Sequence, residues 1–303
     1  MNLTLTQLRY LVAVARQGSV TAAARMLNVS QPSISVAIDN VEATLGQKLF
    51  VRQRGSGIAL TSFGRGAVAK AKQVLAEADE LVGLGTRDAD VGGELVLGCF
   101  EDLAPYFAPA LIRAFSQRCP AVTVVVRDET FETLGRRLGD SAIDLGLTYD
   151  LGLPSHFARI LLHELRPHAL LPQGHALASQ ASVSLAELAA HPLVTTDQPD
   201  SWQHMLDLFL SRGLSPVSQS TTSSFELQRS MVANGFGVAV SYTRPHGDRS
   251  YDGLPLVCKP LSDPLPMQRI ILTHDTRQRL SKAALAFIEV AKEWFASHDV
   301  FTA

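Results

Sequence analysis

The chain has 303 residues, room for two domains at roughly 150 residues each, and with 46% apolar and 18% charged residues it is too core-rich for intrinsic disorder. The net charge of −2 singles out no partner, but residues 1–65 carry seven basic side chains (Arg9, Arg16, Arg25, Lys48, Arg52, Arg54, Arg65) against two acidic ones (Asp39, Glu42), a net of +5 that leaves −7 for the rest. Three scattered cysteines (Cys99, Cys119, Cys258) argue against a disulfide framework or a cysteine zinc site, and no uncharged apolar run is long enough to span a bilayer, so a soluble, cytoplasmic protein is expected.

Thr4-Leu-Thr-Gln7 has the form of a capping box. Leu8, Leu11, Val12 and Ala15 follow at helical spacing, and Gly18 is placed to end that helix. Ser19 offers an N-cap to a short second helix with Ala22, Ala23, Met26 and Leu27 on its buried face, and Asn28-Val29 makes a turn. Ser30 can cap a third helix that tolerates Pro32 in its first turn, turns Ile34, Ile38, Val41 and Leu45 inward and stops at Gly46. Two short helices about a tight turn, the second opening on Ser30, Gln31, Pro32, Ser33 and Ser35, describe a helix-turn-helix. Small polar side chains there can meet base edges while free amides meet phosphate. Leu49–Val51 and Ile58–Leu60, joined across Gly55-Ser-Gly57, form a predicted wing with Arg52 and Arg54 near its tip. A plain three-helix core with solvated polar residues fits the same spacing.

The run Ser19-x-x-Ala22-Ala23-x-x-x-Leu27-x-x-Ser30-Gln31-Pro32-Ser33-x-Ser35, followed by Leu45-Gly46-x-x-Leu49-Phe50-x-Arg52 and Leu60-Thr61-x-x-Gly64, resembles the N-terminal domain of LysR-type transcriptional regulators. Over about the first 65 residues the resemblance implies a winged helix-turn-helix, with residues 19–28 as positioning helix, 30–45 as recognition helix and double-stranded promoter DNA as partner. This chain departs from the family in carrying Ala37 where Gln is usual, and Asp39 and Asn40 where basic residues are common. Base readout is therefore expected at Gln31, Ser33 and Ser35, with Val36 against a thymine methyl.

Residues 62–85 carry a heptad seam: Ala67, Ala71, Val74, Ala78 and Leu81 recur at alternating spacings of four and three, and Leu75 lies seven beyond Val68. Such a seam suits pairing of two helices, and packing on the chain's own body is the alternative. The family resemblance implies homodimers that pair again into homotetramers. Glycines 83, 85, 92 and 93 suit a hinge. The expected division is 1–61 for the DNA-binding domain, 62–91 for the linker helix and hinge, and 92–303 for the remaining body.

In the body, Leu95–Gly98, Val122–Val126, Ile143–Leu147, Leu193–Val194, Val238–Val240 and Ile270–Leu272 are predicted strands. They alternate with helical runs such as Leu103, Phe107, Ala110, Leu111 and Ala114. The pattern predicts an α/β fold with largely parallel sheets, whose ligands bind beyond the carboxyl ends of strands. Phe115-x-x-x-x-Pro120-x-Val122, Ile143-Asp144 and Gly235-x-Gly237-Val238 resemble the family's effector-binding region. That resemblance implies the two-lobed, type 2 periplasmic-binding-protein-like fold, with lobe I at about 92–165 and 270–303, lobe II at about 166–269, and a small-molecule effector between them.

The strand ends then give a candidate effector site: Cys99, Phe100, Glu101 and Asp102; Thr130 and Phe131; Thr148 and Tyr149; Thr195, Thr196 and Asp197; Ser224 and Phe225; and Trp202. Glu101, Asp102 and Asp197 would repel an anion, while Phe100, Tyr149, Trp202 and Phe225 offer aromatic walls that favour cations. An amine-bearing or neutral effector is therefore expected rather than a dicarboxylate, although the same acids could simply cap helices and face solvent. Cys99 reads as a small buried thiol, because neighbouring acids raise a thiol pKa and no resolving partner is near.

No G-x-S-x-G, phosphate-loop, H-E-x-x-H or G-x-G-x-x-G pattern is present, and all nine histidines lie beyond residue 150. His163 and His168, five apart, do not stack as a metal pair. No enzyme activity, metal or cofactor is expected. The expected function is a sequence-specific DNA-binding regulator switched by a small molecule. The resemblance implies contact with RNA polymerase in activation, with repression equally open.

Overall fold

Thr4 accepts a hydrogen bond from the Gln7 amide while the Gln7 side chain accepts one from the Thr4 amide, and this reciprocal cap opens α1 (Leu5–Gln17). The computed structural model describes residues 3–53, 57–83 and 91–301. Gly18 closes α1 at φ 61°, a left-handed conformation that a side chain would strain. Ser19 caps α2 (Val20–Met26), and Ser30 caps α3 (Gln31–Leu45). The caps and stops fall where the sequence predicts because each is a local bond between residues a few positions apart.

These helices enclose a core of Leu11, Val14, Ala23, Ile34, Ile38, Val41 and Leu49. The burial of α1 is wider than one face: Leu11, Val12, Ala13 and Val14 are all buried. The reason is that α1 packs against α2 and α3 on one side and α4 (Ser62–Gly83) on the other. Met26, expected inside, is 45% exposed. The wing pairs β1 (Phe50–Gln53) with β2 (Gly57–Leu60) in antiparallel register, Phe50 opposite Leu60. Gly64, in the first turn of α4, lets that helix press on the wing's root, where a Cβ would collide with the Leu49 carbonyl oxygen.

The expected seam on α4 splits. Val68 and Ala71 belong to the head's own core, with Ala67 and Leu75 packed at its edge, whereas Val74 and Leu81 stay exposed and Ala78 half-buried. The first half of the seam is taken by α1 of the same chain, so the packing held as the alternative applies there. The expected wing residue Arg54 and hinge residues 84–90 lie outside the described residues.

Lobe I is a five-stranded sheet built from β3 (Gly93–Phe100), β4 (Val122–Glu129), β5 (Leu145–Tyr149), β6 (Ile160–Leu165) and β12 (Gln268–Thr273), in the order β4-β3-β5-β12-β6. One face is covered by α5 (Ala104–Arg118) and α10 (Lys282–Ser297) through Phe107, Leu111, Phe115, Phe287 and Phe295. The other is covered by α6 (Phe131–Gly139) through Leu134 and Leu138. Lobe II holds β7 (His168–Pro172) between β10 (Ala239–Ser241) and β11 (Leu256–Pro260), and a second pair, β8 (Leu193–Thr196) with β9 (Ser218–Thr222). Its helices are α7 (Leu185–Ala189), α8 (Pro199–Leu210) and α9 (Phe225–Ala233).

The expectation of largely parallel sheets needs correction. β3 runs parallel to β4 and β5, and β8 to β9, but β12 is antiparallel to both neighbours and β7 to both of its own. The antiparallel strand of lobe I is the one that returns from lobe II, entering the sheet from the opposite end. Several strands were also not predicted. β9 reads Ser-Gln-Ser-Thr-Thr and carries no apolar signal, and β6 leaves Leu161 exposed.

Candidate DNA-reading face and interlobe cavity

At the start of α3 the chain turns two faces in opposite directions. Ile34, Ala37, Ile38 and Val41 are buried, while Gln31, Pro32, Ser33 and Val36 are exposed and Ser35 half-buried. Val36, 57% exposed on the outer face of a helix, is an apolar side chain with no intramolecular reason to point outward. The Ser30 hydroxyl accepts from the Ser33 amide at 3.2 Å and lies 2.7 Å from the Ser33 hydroxyl, so it is committed to holding the first turn. Arg52 is exposed on β1.

One residue that builds this face is not apparent from the sequence. Glu42, buried at the back of α3, accepts from the Leu49 amide at 2.8 Å and from Lys48 Nζ at 2.5 Å, and thereby ties the recognition helix to the root of the wing. Burial pushes this carboxyl up, but the bonds from Lys48 and from the Leu49 and Phe50 amides outweigh it and hold it below the usual carboxylate value.

Between the lobes lies a cavity of about 70 Å³. Of the residues expected at an effector site, Asp102, Tyr149, Thr195, Thr196, Trp202, Ser224 and Phe225 line it. Others point elsewhere, as strand geometry requires, because successive side chains leave a strand on opposite faces. With Tyr149 facing the cavity, Thr148 is turned into the sheet, fully buried. Cys99 and Phe100 are core residues, and Phe100 stacks on Phe131 at 4.2 Å between ring centroids. Burial, helped by Asp128, pushes the Cys99 thiol up to about 12, an inert thiol. Thr130 caps α6 through Thr133, Glu101 accepts from the Gln198 side chain, and Asp197 does not reach the lining. The sequence reading missed His204, Met205 and Gln228, which sit on helices, and Tyr242, Thr243 and Gln268, which stand at the ends of β10 and β12, two strands whose ends it did not take into the candidate site.

The lobes are latched across the cavity. The Phe225 amide donates to Asp102 at 3.2 Å, Tyr106 donates to Glu226 at 2.5 Å, and the Tyr149 hydroxyl lies 2.5 Å from Thr243 Oγ1. Among the described residues no Lys or Arg side chain lines the cavity. Desolvation pushes the Asp102 carboxyl up to about 7, with Glu101 and Glu226 adding to the rise and the Phe225 amide opposing it. Burial also raises Glu101 and lowers His204. Among the described residues no group of His, Cys, Asp and Glu could hold a metal ion, and no helix is long and apolar enough to cross a membrane.

A basic winged helix-turn-helix joined by a long helix to a two-lobed binding domain defines a ligand-responsive DNA-binding regulator. The comparisons with known proteins agree over both parts. Residues 5–65 match the model of the bacterial regulatory helix-turn-helix protein, lysR family, and residues 88–296 match the LysR substrate binding domain. The HTH-type transcriptional regulator YvbU of Bacillus subtilis is 30% identical over 97% of this chain and all of its own length. The crystal structure of HinK, a LysR family transcriptional regulator from Pseudomonas aeruginosa, superposes with a TM-score of 0.66 at 34% identity, covering 97% of this chain and 99% of that one. A full-length OxyR variant from the same organism shares the fold, at a TM-score of 0.72 and 23% identity over 96% and 98% of the two chains. The chain belongs to the LysR family of transcriptional regulators.

Proposed function

We propose that this regulator reads double-stranded promoter DNA with the start of α3 and with Arg52, and that its interlobe cavity receives an amine-bearing or neutral small molecule rather than a dicarboxylate. Gln31, Ser33 and Ser35 meet base edges, Val36 a thymine methyl, and Arg52 the backbone, while Ser30 and Pro32 fix the helix start. Two heads are brought together by the exposed part of α4 around Val74, Ala78 and Leu81, as homodimers that assemble further into homotetramers. Contact with RNA polymerase would serve activation, and operator occupancy alone would serve repression. Its DNA partner puts the protein in the cytoplasm.

The effector class rests on one observation: a half-buried carboxyl, Asp102, faces a cavity that no Lys or Arg side chain among the described residues lines. An anion there would lack a partner and meet a carboxylate, whereas an ammonium would gain one, with Tyr149, Trp202 and Phe225 alongside. The pH dependence follows. Asp102 ionises near 7 while an alkylamine stays protonated, so amine affinity should rise as the pH passes from 6 to 8. Thermal-shift titration with n-butylamine and phenethylamine against succinate and benzoate decides the matter. Stabilisation by the amines, stronger at pH 8, is expected, and stabilisation by the carboxylates alone would reject it. Footprinting of the DNA upstream of the chain's own gene, with and without the stabilising compound, tests the switch itself.

A further inference from the structure

The head and lobe I have separate hydrophobic cores, and among the described residues no apolar cluster joins them. What joins them is charge. Lys72, midway along α4, donates to Asp144 Oδ1 at 2.7 Å, and the other oxygen of Asp144 accepts from the Val96 amide of β3 at 2.8 Å. Arg16, at the end of α1, pairs with Glu94 of β3 and lies 3.8 Å from Asp144. Arg65 approaches Asp140 at 3.8 Å, and Arg279 reaches back to Glu77 of α4 at 3.3 Å.

The centre of this contact is half-dry. The Lys72, Arg16 and Asp144 side chains are less than a fifth exposed, and Arg16 Nε is buried without a hydrogen-bond partner among the described residues. Two cations share one carboxylate there, and Arg127 adds repulsion toward Arg16. A buried ion group of this kind gains little over its hydrated parts, yet fails when one partner is removed. An interface made so is one that can open, since every group in it regains water on separation.

The position of the contact connects it to the cavity. Asp144 directly precedes β5, whose last residue, Tyr149, lines the cavity and is bonded to Thr243 of lobe II. Glu94 and Val96 begin β3, whose far end leads into Asp102. Both strands therefore run from the ion group to the cavity, a span of roughly 15 Å for the five residues of β5.

We propose that Asp144 is the hub of an ionic clasp that docks the DNA-reading head onto lobe I, and that a ligand which moves Tyr149 and the end of β3 opens it. This rests on the cavity being the effector site. In the docked state lobe I acids neutralise Arg16, Lys72 and Arg65, so the clasped head presents less positive charge to DNA, and opening strengthens binding.

The test uses the full-length chain. Lys72→Glu faces Asp144 with a like charge, and Glu94→Lys, at a half-exposed position that folding tolerates, does the same to Arg16 from the other side. Without ligand or DNA, small-angle scattering should show both variants more extended than wild type, with Lys72→Arg unchanged. Glu94→Lys should bind a mixed-sequence duplex at least about tenfold more tightly than wild type at low salt, and Lys72→Glu, which opens the clasp but gives up one of the released cations, should also bind more tightly than wild type but by a smaller factor. On them n-butylamine should still raise the unfolding temperature but no longer shift DNA affinity. Wild-type scattering from both variants would overturn the clasp. Extended variants whose DNA affinity still responds to n-butylamine by the wild-type factor would overturn the coupling. A wild-type chain that no amine stabilises would instead sink the effector reading, and scattering alone would then decide the docking.

Discussion

Two carboxyls, the buried Glu42 and the half-buried Asp102, show how surroundings, not residue type, set what a charge does. Glu42 is ionised because Lys48 and two backbone amides satisfy it, so its effect on stability has a definite sign. A carboxyl held below its unfolded value stabilises the fold at neutral pH, and that contribution is lost as the pH falls through the native value. Glu42→Ala leaves the Leu49 amide buried and unpaired, and should cost the head roughly 2–3 kcal/mol, measured by thermal unfolding at pH 7, with the gap from wild type closing toward pH 3. Asp102 has the opposite sign. Its carboxyl, raised to about 7, favours the native state at low pH and loses that advantage as the pH rises from about 4 to 7. Asp102→Asn keeps an oxygen for the Phe225 amide and removes the trapped charge. It should melt a few degrees higher than wild type at pH 8 and no higher at pH 4.

At the scale of elements, α4 carries two loads on one surface. Ala71 is 3% exposed inside the head while Leu81 is 70% exposed, although both obey the same heptad spacing. Ala71→Leu should overpack the head and destabilise it by about 1–3 kcal/mol. Leu81→Asp should leave unfolding within about 0.5 kcal/mol of wild type yet weaken self-association, as sedimentation would show. The contrast also explains what the sequence makes legible. The caps at Thr4, Ser19 and Ser30 and the stops at Gly18 and Gly46 involve partners within a few residues, so their chemistry is written locally. Which half of the α4 seam meets α1, which strands lie antiparallel, and that Gln228 or Thr243 faces the cavity depend on segments brought together from far along the chain. Glu42 is the sharpest case: one of two acids in a basic head, whose partners begin six residues downstream and follow no periodic rule. Asp102, Tyr149, Trp202 and Phe225 line the cavity as expected because they stand at strand ends or helix starts, whereas Glu101, Asp197 and Phe100, expected beside them, do not. Thr130 and Thr148 were misplaced because an i, i+3 cap and the two-residue alternation of a strand redirected them.

For the whole molecule the decisive feature is how charge is divided: +5 on residues 1–65 and −7 on the rest. The acidic body repels the duplex, so attraction has to come from a few cations on the head, and each phosphate contact releases counterions. Binding of a single head to any duplex should therefore weaken by roughly 10²–10³ between about 50 and 200 mM salt if that head makes about five such contacts, and binding of paired heads by more. The two kinds of contact should separate under mutation. Arg52→Gln removes a phosphate partner, so affinity should drop by a similar factor on every sequence and the salt slope should become shallower by about one. Gln31→Ala removes an amide presented to base edges, so the salt slope should stay while discrimination against mismatched operators falls by about 1–3 kcal/mol at one base pair. Fluorescence anisotropy across a salt series, on a matched operator and a scrambled duplex, measures both. If Arg52→Gln changed sequence preference and Gln31→Ala changed the salt slope, the wing rather than α3 would be reading the bases, and the assignment of the two elements would have to be exchanged.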